Sequence, residues 1–443
     1  MIVERLHRVG IVAAWCLGIV TAILMALAVG AMIPSRPEIA LLVSVAALAL
    51  GVTAVQPAAI PLAAMGVLIV VQRVSYGDLD VSLSDAALFT AFWPALVFAR
   101  RGYSREMRVL LWLVVVFQLT TAFTVIANPY AANLFDWFHT FFLVGGALVV
   151  GWAVGREGYA RAGFSLLMLI SGILAISTIL QGLGQFAQED FSAVYTSWPY
   201  PMHKNFVGTT LGSVAVIAYV HPRWIGWGKT ASLSLFWLCT VAVLFSQSRQ
   251  ALLALGVTLI YIVVRRDPER SRSKVMLVAI PPAVAFLAIT VRQQIESGNK
   301  FNSVFQRVTW FEESLNVWQS NHLFGAGLRW WYTDRFPVRF QPPNAELEVL
   351  TTAGVVGLLG FLALMVGTLI TLSKVDPTYG TLAVAIVLNR FVQGQFDIFW
   401  VSVAGSLPFL VVGVCLGARA FHEREKPPSG LRPEPARRQV SPA

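Results

Sequence analysis

Long apolar stretches and short polar segments alternate along most of the chain. A transmembrane helix needs about 20 apolar residues, or somewhat fewer where its ends lie in the membrane interface. The 39–55 and 59–72 stretches form either two spans or a hairpin that does not fully cross, which gives fourteen spans or twelve. The pattern therefore predicts an all-α fold, a polytopic transmembrane helix bundle of 12–14 spans. The predicted spans are 11–33, 39–55, 59–72, 86–99, 109–127, 138–154, 164–183, 204–220, 231–246, 251–264, 275–290, 346–372, 378–394 and 398–419.

The composition agrees with an integral membrane protein. Of the 443 residues, 56% are hydrophobic and only 13% are charged, a balance outside the range of soluble globular proteins. The first apolar stretch is longer than a signal-peptide core and no convincing cleavage site follows it, so we interpret it as a retained span. Cys16, Cys239 and Cys415 lie in separate apolar stretches, where we expect small core residues rather than disulfides or metal ligands.

Lysine and arginine concentrate in alternate connections between the predicted spans. Cytoplasmic loops carry an excess of these residues, so the basic connections indicate the cytoplasmic side. We therefore expect a multi-pass membrane protein with both termini cytoplasmic. The formal net charge of +10 then reflects topology and not a nucleic-acid partner. The basic segments are Arg5 and Arg8, 100–108, 155–161, 265–274 and the C-terminal tail.

Two of the predicted outer connections are long, and long connections in a compact bundle usually carry function. Within the longer one, apolar residues recur every three or four positions, which predicts an amphipathic helix on or near the outer membrane surface. These residues are Val304, Val308, Phe311, Leu315 and Trp318. The predicted parts are an N-terminal transmembrane region 1–203 with the outer loop 184–203, spans 204–290, the extracytoplasmic loop 291–345, C-terminal spans 346–419 and a disordered cytoplasmic tail 420–443.

The turn SQSRQ places Arg249 between two apolar stretches, at the predicted outer face. A charged group at membrane depth is costly and is therefore a functional candidate. The alternative is that its guanidinium reaches the phosphates of the lipid headgroups. Other polar side chains are predicted at the same face, where basic groups outnumber acidic ones. They are His203, Lys204, Arg307, His322, Asn344, Glu346, Glu348, Arg390 and Asp397.

An outer site without a nucleotide-binding motif requires a substrate that carries its own activation. A glycan linked to a polyprenyl diphosphate meets this requirement. Arg249 and Arg307 would bind the diphosphate and offset its charge as it leaves. His322, His203, Glu346 and Glu348 are candidates for the base that activates a glycan or glycolipid acceptor. We expect no metal ion and no other cofactor, and the remaining partners are membrane lipids.

Four segments carry a family resemblance, namely SQSRQALLAL, RVTWFEESLNVWQSNHLFGAGL, PPNAELEVLTTAGVVGLLGFL and QFDIFW. Together they resemble the O-antigen ligase and O-antigen polymerase superfamily of bacterial membrane glycosyltransferases. The resemblance covers about residues 200–415 and implies a metal-independent transferase of the glycosyltransferase-C type. It implies transfer from a polyprenyl-diphosphate carrier to an acceptor outside the bacterial cytoplasmic (inner) membrane. The arginines that this family uses fall on Arg249 and Arg307, and residues 203–205 match a segment at the mouth of a span.

The chain departs from the family pattern at Pro343-Asn344, where relatives typically carry His-Asn. That histidine is the residue usually assigned to acceptor activation, and proline cannot accept a proton. His322, Glu346 or His203 would then act as the base, or the acceptor hydroxyl loses its proton late and needs only orientation. A further alternative is that the protein binds a lipid-linked glycan without transferring it.

Other functions remain open at this level. A transporter or flippase for lipid-linked sugars has similar spans, but ion-coupled transporters place carboxylates near the midplane, and the first eleven apolar stretches contain essentially no Asp or Glu. A non-catalytic scaffold for envelope assembly is favoured only by the missing histidine. Within the enzyme class, a polymerase would hold two diphosphates and would suit a second arginine cluster. Arg329, Arg335 and Arg339 form such a cluster or a solvated loop face.

Overall fold

A computed structural model describes Leu27, Gly30, Arg292 and residues 37–76, 79–98, 102–265 and 303–425. The predicted span 275–290 and most of the predicted span 11–33 lie outside these residues, as does the predicted tail after residue 425. The chain divides between Ile60 and Pro61 into two compact units.

Helices form nearly all of the described structure, which confirms the all-α class. A short antiparallel hairpin, β1 (Arg73–Tyr76) and β2 (Leu79–Ser82), pairs Arg73 with Ser82 and was not expected from the hydropathy pattern. A π-helical turn at Phe142–Gly146 interrupts α5. The helices are α1 Pro37–Val55, α2 Ala59–Val67, α3 Leu83–Phe98, α4 Arg105–Ala127, α5 Ala131–Arg156, α6 Ala160–Phe186, α7 Lys204–Val220, α8 Lys229–Ser246, α9 Arg249–Val264, α10 Ser303–Trp318, α11 Ala345–Ser373, α12 Pro377–Gly394 and α13 Ser402–Glu425.

Six helices in the described part of the chain are long and apolar enough to cross a membrane, namely α4, α5, α6, α8, α11 and α13. The adjoining parts of α1 and α2 give a seventh span if this bent pair counts as one. The predicted spans 86–99, 204–220, 251–264 and 378–394 correspond to α3, α7, α9 and α12, which have 16 to 18 residues. A multi-pass bundle is therefore confirmed, and the number of twelve or fourteen spans stays a prediction.

Helix α13 lies at the centre of the larger unit, since all its residues from Ser402 to Ala418 are buried. It packs most closely against α5 through glycines on both helices. A methyl group at Gly151 of α5 would meet the carbonyl oxygen of Leu410, and one at Gly413 of α13 would meet that of Leu148. Small residues allow such close backbone approach between membrane helices. This contact joins the N-terminal and C-terminal halves of the bundle.

Helix α11 is broken at Gly354, whose φ of 66° lies in the left-handed region. The segment 322–327 fills the break: Val355 N donates to His322 O at 3.0 Å, and Ala326 N donates to Thr351 O at 2.9 Å. A Cβ atom at Gly354 or Gly325 would collide with the opposing backbone. The glycines therefore let the connection between α10 and α11 dock into a transmembrane helix.

The predicted amphipathic helix is present as α10 and has two different faces. Ser314 and Val317 are buried, and Val317 packs in a cluster with Ala326 and Trp330. Val308 is 53% exposed, and Phe311 and Leu315 are each 40% exposed. An apolar stripe that faces away from the protein suits a helix lying in a membrane interface, which stays a prediction for this chain.

The close glycine contact between α5 and α13 predicts that alanine in this contact destabilises the protein more than alanine at an uncrowded glycine. Gly413→Ala should lower the stability by about 1–3 kcal/mol, because the methyl group forces two packed backbones apart. Gly256→Ala in α9 is the matched control, since no atom lies within 4 Å of a Cβ built there. Thermal unfolding of both variants in the same detergent measures the difference. Equal melting temperatures would show that the two helices are not in close contact.

Candidate functional site

The connection between α12 and α13, residues 395–401, brings the candidate residues together. We call it the 395–401 segment. It is contacted by residues at the beginnings of α7, α9 and α11 and near the end of α12, and its Asp397 interacts with Arg307 of α10. Side chains that are far apart in the sequence therefore meet at one end of the bundle.

Asp397 is the acidic centre of this arrangement. Its Oδ2 accepts a hydrogen bond from Gln250 Nε2 at 3.0 Å, and its carboxylate also interacts with Asn205. Burial raises the pKa of the Asp397 carboxyl, while Arg390, the backbone N–H of Ile398, Arg307 and Asn205 act in the opposite direction. The carboxylate thus links the starts of α7 and α9 to the 395–401 segment.

Three basic side chains, each from a different helix, interact with this carboxylate or lie next to a residue that does. Lys204 is the first residue of α7, Arg249 is the first residue of α9, and Arg307 lies in the first half of α10. The charge of Arg249 acts on both Lys204 and Arg307, so Arg249 is close enough to repel each of them. Burial lowers the pKa of Arg307, opposed by Asp397 and assisted by Arg249, but a guanidinium remains protonated at neutral pH.

The turn before Arg249 explains how an arginine fits between two spans. Gln247 adopts a left-handed conformation with φ 49°, which ends α8, and Ser248 is the N-cap residue of α9. Ser248 packs directly on Gly208 of α7, where a side chain would leave no room. The N-termini of α7 and α9 therefore lie side by side and add their partial positive charge to that of the three cations. A site of this kind is suited to an anion.

His203 precedes Lys204 and is the N-cap residue of α7. Its Nδ1 accepts a hydrogen bond from Asn205 N at 3.2 Å. Partial burial lowers the pKa of His203, with Asp397 opposing and Lys204 assisting, which favours the neutral ring. Because Nδ1 accepts, the proton is assigned to Nε2, which is then a donor. This arrangement favours donation to a substrate oxygen over action as a base.

The beginning of α11 adds a carboxylate from the other side of the 395–401 segment. Asn344 caps the helix, since its Oδ1 accepts from Leu347 N at 2.8 Å, and its Nδ2 donates to Gln395 O at 3.2 Å. Glu346 Oε1 accepts from Gln395 Nε2 at 2.8 Å. The other oxygen, Glu346 Oε2, is buried and has no hydrogen-bond partner among the described residues.

Arg390 and Glu348 lie beneath the 395–401 segment, with exposed fractions of 1% and 2%. Arg390 Nη2 donates to Ile398 O at 2.8 Å and to Phe399 O at 2.5 Å, and the guanidinium lies over the Phe399 ring. Glu348 Oε2 accepts from Phe399 N at 3.2 Å, and its Oε1 accepts from Gln341 Nε2 at 2.7 Å. These contacts favour a positioning role for Arg390 over the substrate contact expected from the sequence.

His322 is not placed with the cationic cluster by any contact in the described structure. It is exposed, and its ring lies 4.6 Å from that of Trp318, between centroids. Trp318 and Arg307 are eleven residues apart on α10, which corresponds to about 16 Å along a helix. At the break of α11 it is the backbone carbonyl of His322, and not its ring, that accepts a hydrogen bond from Val355 N. Its predicted role as a base is therefore less favoured than that of Glu346.

The three later arginines are paired individually. Arg329 Nε donates to Asp136 Oδ1 at 2.7 Å, Arg335 Nη1 donates to Asn128 Oδ1 at 2.8 Å, and Arg339 pairs with Asp334. The first two fasten the α10–α11 connection to α4 and α5. Their contacts therefore favour a structural role over the second diphosphate site that a polymerase would suit.

One ionisable cluster was missed because the hydropathy pattern placed the helix starts too late. Helix α3 begins at Leu83 and α5 at Ala131, so both contain an acidic residue, contrary to the expectation that this region has essentially none. His139 Nε2 lies 3.3 Å from Asp85 Oδ2, and Asp136 Oδ1 lies 3.6 Å from His139 Nδ1. The spacing of Asp136 and His139, one helical turn apart in FDWFHT, is the signal that would have revealed it.

The Asp85–His139–Asp136 cluster borders two spaces. One is an apolar groove of about 860 Å³ between α3, α4 and α5, lined mainly by aromatic side chains. The other is a cavity of about 20 Å³ between Asp136 and Glu348, which has room for one water molecule. Ser82 on β2 also bonds to Ser402 of α13 at 2.9 Å. The cluster thus links α5 to the α10–α11 connection through Arg329, and it lies beside the Ser82–Ser402 contact with α13.

Comparison with known families matches residues 234–362 to the family described as O-Antigen ligase. No curated protein matches the chain. The matched stretch contains Arg249, Arg307, His322 and the first half of α11, and it is shorter than the 200–415 suggested by the motifs. Residues 234–362 are therefore similar to an O-antigen ligase domain, which supports the resemblance to the O-antigen ligase and polymerase superfamily. The chain itself is a multi-pass membrane protein.

The buried pair beneath the segment predicts strong coupling between Arg390 and Glu348. Arg390→Met and Glu348→Met should each cost about 1–3 kcal/mol, because each leaves buried backbone groups of the 395–401 segment without a hydrogen-bond partner. The double variant should cost at least about 1 kcal/mol less than the sum. Denaturant unfolding in mixed micelles measures the three free energies, with the exposed Arg339→Met as the control. Additive costs would show that the two side chains do not share one network.

Proposed function

We propose that this protein transfers a glycan from a polyprenyl-diphosphate carrier to a glycan or glycolipid acceptor at the outer face of the bacterial cytoplasmic membrane. The observation that carries the proposal is the convergence of Lys204, Arg249 and Arg307 near the N-termini of α7 and α9, where Asp397 interacts with Arg307. The three cations outnumber the carboxylates of Asp397 and Glu346 and leave an excess of positive charge. This excess suits a diphosphate.

The cations act on the leaving group in this mechanism. As the bond between the anomeric carbon and the diphosphate oxygen breaks, its electron pair passes to the diphosphate. Arg249 and Arg307 offset the additional negative charge, which is stronger in the transition state than in the bound substrate. Asp397 and Gln250 hold this side of the site in place, and His203 Nε2–H is positioned as a further donor.

Glu346 is the base that the geometry favours. Its Oε2 is without a hydrogen-bond partner in the described structure, and Gln395 Nε2 fixes its other oxygen. Gln395 and Asp397 belong to the same short segment, so Glu346 and the cations share one framework. Glu346 would take the proton of the acceptor hydroxyl while the acceptor oxygen bonds to the anomeric carbon. The carboxylate then serves where relatives have a histidine in place of Pro343.

Transport of a lipid-linked sugar is the second candidate function. The specific observation in its favour is the Asp85–His139–Asp136 cluster, because ionisable side chains inside membrane helices often mark ion pathways. In a strain lacking the protein, loss of transfer leaves carrier-linked precursor at the outer leaflet, whereas loss of flipping leaves it at the inner leaflet. The location of the precursor therefore separates the two functions.

Arg249→Ala should lower the rate of glycan transfer by at least about 100-fold, since it removes one donor that stabilises the leaving group. Arg249→Lys should retain part of the activity, because charge remains and the bidentate fork is lost. Transfer is measured with purified protein, carrier-linked glycan and acceptor in proteoliposomes, without added nucleotide and with chelator present.

The control for Arg249 is Arg339→Ala, which removes an exposed arginine paired with Asp334 and should leave the rate within twofold of the wild type. Normal transfer by a correctly inserted Arg249→Ala protein would remove the diphosphate role. A strict need for nucleotide or divalent metal would reject the metal-independent mechanism.

Glu346→Gln should lower the turnover number by at least about 100-fold, because the amide keeps the contact with Gln395 but cannot accept the proton. His322→Gln should change it less than about tenfold. If His322→Gln is the more damaging variant, the assignment of Glu346 is wrong.

A further inference from the structure

The connection between α6 and α7, residues 187–203, carries an exposed tyrosine beside the cationic cluster. Tyr195 is 50% exposed, while its neighbours Val194 and Thr196 are buried at 0% and 2%. The chain there runs in an extended form, so the two neighbours anchor the backbone and the tyrosine ring points outward. The Tyr195 ring is therefore exposed on a backbone that its buried neighbours hold in place.

The backbone around Tyr195 is fixed by hydrogen bonds on both sides. Tyr195 O accepts from Gln181 Nε2 at 2.7 Å, and Val194 N donates to Phe245 O at 3.1 Å. Thr196 pairs with Met202 in an isolated bridge, in which Met202 N donates to Thr196 O at 2.8 Å. The ring is therefore presented by a rigid support, which reduces the entropy lost when a ligand binds.

Tyr195 is also a direct neighbour of the anion site. Its ring centroid lies 5.2 Å from that of His203, with an angle of 82° between the planes. His203 immediately precedes Lys204, whose charge interacts with that of Arg249. A group attached to a diphosphate bound at Lys204 and Arg249 therefore lies within reach of the Tyr195 ring.

We propose that Tyr195 is a stacking platform for the pyranose ring of the sugar attached to the carrier diphosphate. One face of a pyranose presents C–H groups with partial positive charge, which are attracted to the negative face of an aromatic ring. The hydroxyl-bearing edge of the sugar then remains free to meet donors such as His203 Nε2–H. This inference rests on the proposed function and assigns the donor's first sugar to the 187–203 connection.

The competing explanation is that Tyr195 belongs to a belt of aromatic residues at the membrane interface. Phe191 and Trp198 in the same connection are 66% and 62% exposed and would belong to that belt as well. The two explanations predict different effects of replacing Tyr195. Loss of a belt residue affects binding of the lipid equally with and without its sugar, whereas loss of a stacking platform weakens only binding of the glycosylated lipid.

The experiment compares two ligands on the purified full-length protein in nanodiscs: polyprenyl diphosphate, and the same lipid carrying one N-acetylglucosamine. Tyr195→Ala should weaken binding of the glycosylated lipid about fivefold and leave binding of the bare diphosphate unchanged. Tyr195→Phe and Tyr195→Trp should retain binding of both, because the ring remains. Trp198→Ala is the matched control and should leave both affinities unchanged.

The outcomes separate this inference from the proposed function. Arg249→Ala should weaken both ligands, and its failure to do so would count against the diphosphate site itself. Equal effects of Tyr195→Ala on the two ligands, or equal effects of Tyr195→Ala and Trp198→Ala, would overturn the stacking role while leaving the diphosphate site intact. If the wild type distinguishes neither ligand from a neutral lipid, both proposals are wrong.

Discussion

The arrangement of the site depends on a buried guanidinium. Arg390 occupies the space below the 395–401 segment and donates to two of its carbonyl groups, while Glu348 accepts from the backbone N–H of Phe399. Ionisable side chains buried in a membrane bundle are costly unless their hydrogen bonds are satisfied. Here the backbone of the 395–401 segment and the two buried side chains satisfy one another's hydrogen bonds. These contacts hold the segment in place and thereby position Asp397.

The position of Asp397 explains how three cations remain together. Arg249 repels both Lys204 and Arg307, and the partial burial of those two residues adds a desolvation cost, which Asp397 offsets in part at Arg307. The site is therefore poised for an anion with more than one charge, because such a ligand relieves the remaining repulsion. The packing of Ser248 on Gly208 brings two helix N-termini to the same place and increases this tendency.

Features that depend on local pattern could be predicted from the sequence, and features that depend on pairing could not. Hydropathy located the helices, the spacing of apolar residues located α10, and a charge between apolar stretches singled out Arg249. The role of Arg390 escaped prediction because an arginine that contacts substrate and one that supports a loop look alike in a sequence. Asp85 and Asp136 escaped because hydropathy marks where apolar residues begin, whereas a helix begins wherever its polar residues find partners, here His139 and Arg329.

The replacement of histidine by Pro343 illustrates the same distinction. Position 343 directly precedes the cap residue Asn344, and a proline is well tolerated just before a helix because its fixed φ and missing N–H cost little there. The same end of α11 presents Glu346, whose carboxylate is held by Gln395 from the segment that also carries Asp397. A base need not occupy the family's usual position if the backbone directs another acceptor to the same framework. In the proposed mechanism, a proline at position 343 therefore changes which group accepts the proton and leaves the rest of the site's chemistry in place.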